Sequence, residues 1–396
     1  MINRGKHILG FARSMLYQSA SRAACTTSTS FVIVAFVLAS LILLSSCGQA
    51  DRTYPSPLPA EFRQKLQSAT AFSDVFQLVD SINLQFAKNS IITYFGSAAV
   101  SNDGKIAIGD LGNGGQVLLF DKRGKFIRIV SSSGQGPGQV ESPRGLAFNE
   151  GDSLIVADSR NERLAIYDSV GNFLRDIRIY VQPIGLTTFR NSIYVVTAPL
   201  QGSPLLHFSA AGSLIGWLGR VPDAPRKLGM PISGGSISSY DDKYIYYVHP
   251  AEYDVQIFSS NDRLFREVSP SSGSLHRNLE KGPKSGSAEA IREWLKTWDP
   301  VNTVMATTKG VVLVVYQDKT VSEDKIENVV DLYDVVGNEL ASGLHTTYLP
   351  VCTDSEGRLY CFQKAVEQLS EDQNPMLYVL AFRSSLHAAA TQTSSE

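Results

Sequence analysis

The sequence predicts an all-β protein, and three observations carry that prediction. It contains 31 Gly and 17 Pro together with 18 Phe, 16 Tyr and 3 Trp, a mixture of turn-forming and strand-forming residues. Short runs of alternating apolar residues recur along the chain, and an aromatic residue followed by Asp or Ser and a turn recurs between them. Together these repeats predict a six-bladed β-propeller of four-stranded antiparallel blades.

The amino-terminal segment has the order of a secretion signal. Four basic residues and no acidic one precede an apolar run from Phe31 to Leu44, and the first acidic residue is Asp51. A helix of that length spans about 21 Å, which is shorter than the roughly 30 Å hydrocarbon core of a bilayer. We therefore expect residues 1–46 to be a cleaved signal peptide and not a membrane-spanning helix.

The segment Leu44-Ser45-Ser46-Cys47-Gly48 resembles a bacterial lipobox, in which the Cys thiol receives a diacylglycerol before cleavage. The resemblance implies that the mature protein begins at Cys47 and is attached to a membrane by lipid. The alternative is a buried Cys in an uncleaved anchor. In the enterobacterial sorting pattern, a residue other than Asp after the lipidated Cys favours the outer membrane, and here that residue is Gly48. We therefore expect the protein on the periplasmic or cell-surface side of the outer membrane more than on the outer leaflet of the inner membrane. Residues 47–73, rich in Pro at the start, are expected to be a tether.

The charge balance limits the partners of the exported part. Residues 47–396 carry a formal charge of −6 where the whole chain carries −2, because the four basic residues of the signal are lost. Basic residues are dispersed, so we expect no nucleic-acid partner. The expected partners are the membrane, through the lipid on Cys47, and an envelope protein or a small extracellular ligand, with the domain itself monomeric.

The alternating run occurs six times. The runs begin at Ile106, Leu154, Ile193, Ile245, Val312 and Leu359, which are 48, 39, 52, 67 and 47 residues apart. A four-stranded blade uses about 40–50 residues. The last repeat is one strand short, and Ile82–Phe86 alternates without a partner, so we expect an N-terminal strand to complete the last blade. The propeller is then placed at 74–383, with a disordered tail at 384–396.

The second repeat carries the clearest family resemblance. Ser142–Phe148 and Val156–Asp168, preceded by Gly134–Gly138, resemble an NHL repeat. More broadly, residues 74–383 resemble the six-bladed β-propeller lipoproteins of Bacteroidetes, in the NHL-like and TolB-like propeller group. The remaining repeats depart from the pattern, so the resemblance implies the fold more than a function. Positions where Asp is usual hold Thr197, His249, Tyr316 and Gln363.

The repeat register nominates candidate ligand-binding residues. The second strand of each blade ends at Asp110, Asp158, Thr197, His249, Tyr316 or Gln363, and Arg144 begins the second blade beside them. We expect these positions to surround one mouth of the central channel, where propellers commonly bind ligands. The alternative for the two Asp residues is that they cap their own turns, with Asn113 and Asn161 three residues further on.

No linear motif indicates catalysis or a metal. The six His residues show no ligand spacing on one element, and no Gly-x-Ser-x-Gly elbow occurs. Gly134–Gly138 is not a phosphate loop, because a strand follows it. We predict no cofactor and a binding or scaffold module. The alternative is a metal-dependent enzyme like the propeller lactonases and an amidating lyase, which assemble Ca or Zn sites from several blades; here His249, Asp110 and Asp158 would be the ligands.

The 67-residue interval contains an insertion at about 269–299. Ile291, Trp294, Leu295 and Trp298 fall at i, i+3, i+4 and i+7, which predicts an amphipathic helix ended by Pro300. Its apolar face either covers a blade edge or forms a lid or partner-binding site through Trp294 and Trp298.

Two Cys residues in the last blade could form a disulfide. Cys352 and Cys361 would lie opposite each other if the hairpin turned at Glu356-Gly357, and export permits oxidation. A change of one residue in the turn would separate them and leave two small buried apolar residues.

Overall fold

The computed structural model has the predicted architecture of six four-stranded antiparallel sheets. It describes residues 54–86, 92–112, 114–197, 202–221, 234–270, 285, 287–295, 301–318, 327–363 and 375–387. The predicted signal peptide, Cys47, Asn113 and Trp298 lie outside these residues. Within the part of the chain that the structure describes, no helix has the length and apolar character needed to span a bilayer.

Two helices and one strand precede the first complete blade: α1 (Ala60–Gln67), α2 (Phe72–Val75) and β1 (Phe76–Asn83). Blades one and two contain β2 (Phe95–Val100), β3 (Ile106–Asp110), β4 (Gln116–Phe120), β5 (Phe126–Ser131), β6 (Pro143–Phe148), β7 (Leu154–Asp158), β8 (Arg163–Tyr167) and β9 (Phe173–Arg178). Blades three and four contain β10 (Pro183–Phe189), β11 (Ser192–Thr197), β12 (Leu205–Ser209), β13 (Leu214–Leu218), β14 (Ser236–Tyr240), β15 (Tyr244–His249), β16 (Glu252–Ser259) and β17 (Leu264–Val268).

The insertion contributes α3 (Ala288–Leu295) before blade five. Blades five and six contain β18 (Val301–Ala306), β19 (Val311–Asp318), β20 (Glu327–Asp334), β21 (Glu339–Thr346), β22 (Tyr348–Thr353), β23 (Leu359–Gln363) and β24 (Met376–Phe382), and α4 (Ser384–His387) follows. The first strands of consecutive blades contact one another, and β22 contacts β2, so the blades form a closed ring.

The N-terminal strand closes the ring as predicted, but it lies further upstream. β1 pairs with β24, with Phe76 opposite Phe382 and Asn83 opposite Met376. The expected strand at 82–86 overlaps it by two residues only. Beyond Asn83 the chain turns to blade one, where the Gln85 amide donates to the Gly124 carbonyl at 2.8 Å. Pairing with the last blade therefore ends before the alternating segment does.

The blade hairpins show why the repeated turn motif occurs. In blade one Asp121 Oδ1 accepts hydrogen bonds from the amides of Arg123 and Lys125, both at 2.9 Å. Gly124 takes a positive φ of 80°, a conformation that glycine adopts without steric cost. The predicted hairpin turn is thereby confirmed in its chemistry as well as its position.

The segments that flank the propeller pack onto it, which differs from the prediction of a tether to residue 73 and a disordered tail from 384. Leu58, Phe62 and Leu66 are buried in the apolar core that contains strands of blade five. Leu386 of α4 is buried in the same cluster. The apolar side chains of these short helices supply the burial that composition alone, with its Pro and Ser residues, did not indicate.

Candidate functional site: the central channel

A cavity of about 600 Å³ lies inside the ring formed by the first strand of each blade. That volume is in the range of small-molecule sites. The first strands are β2, β6, β10, β14, β18 and β22. They are sheet edges, so each exposes backbone donors and acceptors toward the channel.

A β-bulge occurs at the same place in four of these strands. The register shifts between the first and third residues of β2, β6, β10 and β18, opposite the end of each second strand. A bulge leaves one residue unpaired and redirects its side chain. The bulged residues are Gly96, Arg144, Ile184 and Asn302, and all four line the cavity.

Arg144 is the one charged residue among the described residues that line the cavity. Its side chain is exposed and makes no hydrogen bond or ion pair with any residue that the structure describes. A guanidinium presents five donors in a planar fork that fits a carboxylate. The channel therefore offers an unpaired cation to a ligand.

Hydroxyl side chains join neighbouring first strands around the channel. The Ser236 and Thr303 hydroxyls lie 2.9 Å apart across blades four and five, and those of Thr187 and Ser239 lie 3.1 Å apart across blades three and four. Each hydroxyl has one donor and two acceptor sites, so these pairs retain hydrogen-bonding capacity. They stabilise the ring and keep the cavity wall polar.

Asp110 and Asp158 do not line this cavity; they cap the loops that lead into the first strands. Asp110 Oδ1 accepts from the Tyr94 amide at 2.8 Å, and Asp158 Oδ1 accepts from the amides of Glu141 and Ser142, both at 3.1 Å. Both carboxylates are fully buried. This corrects the expectation that they face the channel mouth and agrees with the capping alternative, which for Asp158 includes a 2.6 Å bond from Asn161.

The other predicted residues are also absent from the described cavity wall. The Thr197 hydroxyl donates to the Pro204 carbonyl at 3.2 Å, His249 Nδ1 accepts from the Ala251 amide at 3.1 Å, and Tyr316 packs edge-on against Tyr253. Gln363 is exposed, and its amide lies 3.4 Å from the Thr347 hydroxyl. Arg144 is the single member of the predicted set of seven that lines the cavity.

The blade geometry explains this outcome. The register prediction was right, since Phe95, Pro143, Pro183, Val301 and Tyr348 pair with the predicted second-strand ends. However, a second strand lies inside its sheet with another blade on each face, and every residue of β3 and β7 is buried. Side chains at its end therefore enter the space between blades. The bulged residue of the first strand, one position beyond the paired residue, is what reaches the channel.

The loop Gly134–Gly138 is held by the second blade and does not form an anion cradle. Buried Arg163 donates to the carbonyls of Gly136 and Gln139 at 3.1 and 2.7 Å, and also pairs with Asp158 and Asp176. The Tyr167 hydroxyl donates to the Gly138 carbonyl at 3.2 Å. Burial raises the pKa of Tyr167 to about 12, so the hydroxyl keeps its proton. Arg163 and Tyr167 of this blade thus fix a loop.

A polar cluster joins blades three and four. Asp262 occupies a turn position with φ of 63°, where other blades have Gly, and its carboxylate accepts from the Tyr194 hydroxyl at 2.8 Å. His207 Nδ1 lies 2.7 Å from the other carboxylate oxygen, and its ring stacks on Tyr194. The inter-blade bonds explain why a strained Asp replaces Gly here.

A second cluster lies between blades four and five. Fully buried Asp331 accepts hydrogen bonds from the Tyr253 hydroxyl and, at 2.7 Å, from the Gly343 amide. Burial raises the pKa of Asp331, because the charged form loses its hydration. Neither cluster lines the channel.

The predicted disulfide pair is separated by a bulge. Cys361 pairs with Pro350, and Cys352 pairs with Tyr360, because the register shifts by one residue between Pro350 and Cys352. Both Cys residues are free. Burial raises the pKa of both thiols, so neither is a thiolate at neutral pH. The alternative of two small, largely buried residues is the one that the structure supports.

The predicted amphipathic helix is present as α3. The Trp294 side chain is only 7% exposed, so it is buried and not displayed to a partner.

The donor set of the channel does not suit Ca or Zn. Such ions need several carboxylate, imidazole or thiolate ligands, and the described lining contains no carboxylate and no His. No group of three or more His, Cys, Asp or Glu residues that could hold a metal occurs within the described ranges. Asp110, Asp158 and His249 instead hold backbone amides.

Comparisons with known proteins agree with this architecture. A profile of the DUF5128 family, described as "6-bladed beta-propeller", matches residues 62–195. The chain is a six-bladed β-propeller. No curated protein matches the sequence significantly.

Solved structures extend the similarity across the ring. A Bacteroides fragilis protein described as a candidate exported protein is 11% identical, with a TM-score of 0.57 over 80% of this chain and 98% of its own. A duf4221 family member from Bacteroides vulgatus is 13% identical, with a TM-score of 0.53 over 78% and 98%. A gluconolactonase from Xanthomonas campestris is 12% identical, with a TM-score of 0.46 over 84% and 99%, and this level says nothing about activity here. Identities this low indicate the fold alone.

Proposed function

We propose that this propeller is an extracytoplasmic, lipid-anchored binding module of a bacterial envelope, with the central channel as its ligand site. The observation that carries the proposal is an open cavity of about 600 Å³ whose single charged described residue, Arg144, has no described partner. Cavities of this kind bind small molecules. The wall has polar groups for recognition but no described nucleophile, general base or metal donor set in a catalytic arrangement.

The location rests on separate support. The signal-like segment ends in Leu44–Gly48, and a structural neighbour is described as a candidate exported protein. Lipid on Cys47 would hold the module on the membrane, with the outer membrane as the proposed site. A signal peptide at residues 1–46 and the monomeric state of the domain remain part of this proposal. An envelope protein is the alternative occupant of the propeller surface.

The anchor is tested by replacing Cys47 with Ser in the full chain. Cys25→Ser is the matched control, because Cys25 lies in the proposed signal. We expect Cys47→Ser to abolish incorporation of labelled palmitate and membrane fractionation, with Cys25→Ser unaffected. Lipid on the Cys47→Ser variant, or equal loss in both variants, would contradict the anchor.

The ligand site is tested by narrowing the channel. In Ile184→Trp the bulky ring would occupy the mouth, whereas Leu264→Trp changes an exposed residue of the outermost strand of blade four. Small molecules that raise the melting temperature of the wild-type chain should lose that effect in Ile184→Trp and keep it in Leu264→Trp. Retained stabilisation in Ile184→Trp would place the ligand elsewhere.

A further inference from the structure

The channel mouth carries a paired pattern across its axis. The bulged residues Gly96, Arg144, Ile184 and Asn302 belong to blades one, two, three and five. In blade four Gly235 directly precedes β14, and in blade six Leu349 is the second residue of β22, where it pairs with Phe362 without a bulge. All six residues line the cavity. In a closed ring of six, blades three apart lie opposite each other. The pattern therefore sets Arg144 opposite Asn302, Ile184 opposite Leu349, and Gly opposite Gly.

The first pair defines two different polar ends. Arg144 is cationic, and Asn302 is a neutral amide that both donates and accepts. The Asn302 side chain is exposed and has no hydrogen-bond partner among the described residues. Arg144 is the single charged residue of the described wall, so it can pair with one negative charge of a ligand. A second negative charge on the ligand would have no cationic partner in the described wall.

The other two pairs shape the space between these ends. Ile184 and Leu349 are partly exposed apolar side chains on opposite walls. The two Gly residues leave the remaining walls open, and Cβ atoms there would meet backbone, at 2.8 Å from the Pro143 carbonyl for Gly96 and at 2.6 Å from the Val248 carbonyl for Gly235. A flat or elongated apolar body fits between the aliphatic walls.

We infer that the channel binds a small monocarboxylate that has an apolar body and a neutral hydrogen-bonding group at its far end; the inference rests on the proposed function of the channel. Arg144 binds the carboxylate through its paired donors. Asn302 binds the far group, and Ile184 and Leu349 contact the body. A cation is repelled by the same arrangement.

The test uses the full chain in detergent and three matched probes. The probe 4-acetamidobenzoate has the required carboxylate, ring and amide; 4-acetamidobenzamide is its neutral analogue; 4-acetamidobenzylamine is the cationic one. Binding is measured by titration calorimetry with the wild-type chain, Arg144→Gln and Arg123→Gln. Arg123 is exposed on the β4–β5 hairpin at the other end of the blade, so it controls for the change in net charge.

We expect the anion to bind at least tenfold more tightly than either analogue. Arg144→Gln should weaken the anion at least tenfold and leave the neutral probe unchanged, and Arg123→Gln should change neither. Asn302→Leu should weaken both the anion and the neutral analogue, because both carry the far amide.

Two results overturn the inference in different ways. If the neutral probe binds as tightly as the anion, or Arg144→Gln binds the anion normally, and Ile184→Trp still abolishes binding, the ligand class is wrong and the channel site stands. If no probe binds, or binding survives in Ile184→Trp, the monocarboxylate assignment is wrong for this channel, and the separate melting-temperature test decides the channel site itself.

Discussion

Replacement of Asp158 by Asn separates a capping role from a ligand-binding role most sharply. Asp158 is fully buried and accepts from two backbone amides, from Asn161 Nδ2 at 2.6 Å, and from Arg163 Nε at 3.4 Å. An Asn side chain keeps one oxygen that can accept from the two backbone amides. Its NH₂ group would face the donors of Asn161 and Arg163, and the substitution removes a negative charge that pairs with buried Arg163. Breaking a buried ion pair from one side costs about 3–5 kcal/mol, and Asp176 at 2.9 Å from Arg163 keeps the loss near the lower value.

Asp110→Asn is the matched control, because it occupies the same position in blade one with a neutral partner. Asp110 Oδ1 accepts from the amides of Tyr94 and Gly112, and Oδ2 accepts from Gln116 Nε2 at 3.0 Å. Asn keeps the Oδ1 bonds, and the Gln116 amide can rotate to accept from the new NH₂ group. The expected loss is about 1–2 kcal/mol.

Urea unfolding of the two variants measures the difference. We expect the midpoint of Asp158→Asn to fall further than that of Asp110→Asn, with unchanged slope for both, and 4-acetamidobenzoate binding to be retained in the folded variants. Equal losses, or a variant as stable as the wild type that no longer binds, would refute the capping assignment and restore these residues as ligand groups.

Three further predictions concern packing and charge. In Gly145→Ala the new Cβ would lie 2.8 Å from the backbone of the adjacent first strand, so the free energy of unfolding should fall by about 1–3 kcal/mol. In the control Gly216→Ala the new Cβ meets nothing within 4 Å, so stability should be nearly unchanged. Equal effects of the two variants in thermal melts would disprove the close approach. Asp262→Gly should destabilise the protein by about 1–3 kcal/mol, because the inter-blade bonds of Asp262 with Tyr194 and His207 are lost. Exposed Glu162 also has a positive φ, so the control Glu162→Gly should be neutral or stabilising. If both variants are more stable than the wild type in urea melts, the bonds of Asp262 contribute nothing to stability. Because burial raises the pKa of Asp331 in the folded protein, its carboxyl contributes to stability at low pH and loses that contribution as the pH rises through the folded pKa. The stability of the wild type relative to Asp331→Asn should therefore increase when the pH is lowered from about 7 to about 4. A relative stability that decreases on acidification would contradict the raised pKa.

The sequence predicted the architecture well because the repeat is encoded locally. Alternation gave the second strands, and turn chemistry such as Asp121 with Gly124 gave the hairpins. The prediction that an N-terminal strand closes the ring came from counting the strands of the last blade. The exact position of that strand was missed, because Gln85 bonds to blade one and the hydrophobic periodicity of the sequence does not indicate this contact.

The site was predicted in position more than in residues. The register correctly placed Asp110 and Asp158 at equivalent points, but which of two neighbouring strands faces the channel depends on the packing of blades against each other. Asn302 and Ile184 were missed for that reason. The sequence feature that could have identified them is their position: each directly follows the first paired residue of its blade's first strand, as Arg144 does. Likewise, a single bulge at Val351 moved Cys352 away from Cys361, and sequence alone does not locate bulges.

A crystal structure of the chain soaked with 4-acetamidobenzoate tests most directly whether the central channel is the ligand site. We expect ligand density in the central channel, with the carboxylate within hydrogen-bonding distance of the Arg144 guanidinium and the amide directed at Asn302. Density that lies only in a groove between blades or on the outer strands, with the channel free of ligand, would contradict the claim that the channel is the binding site.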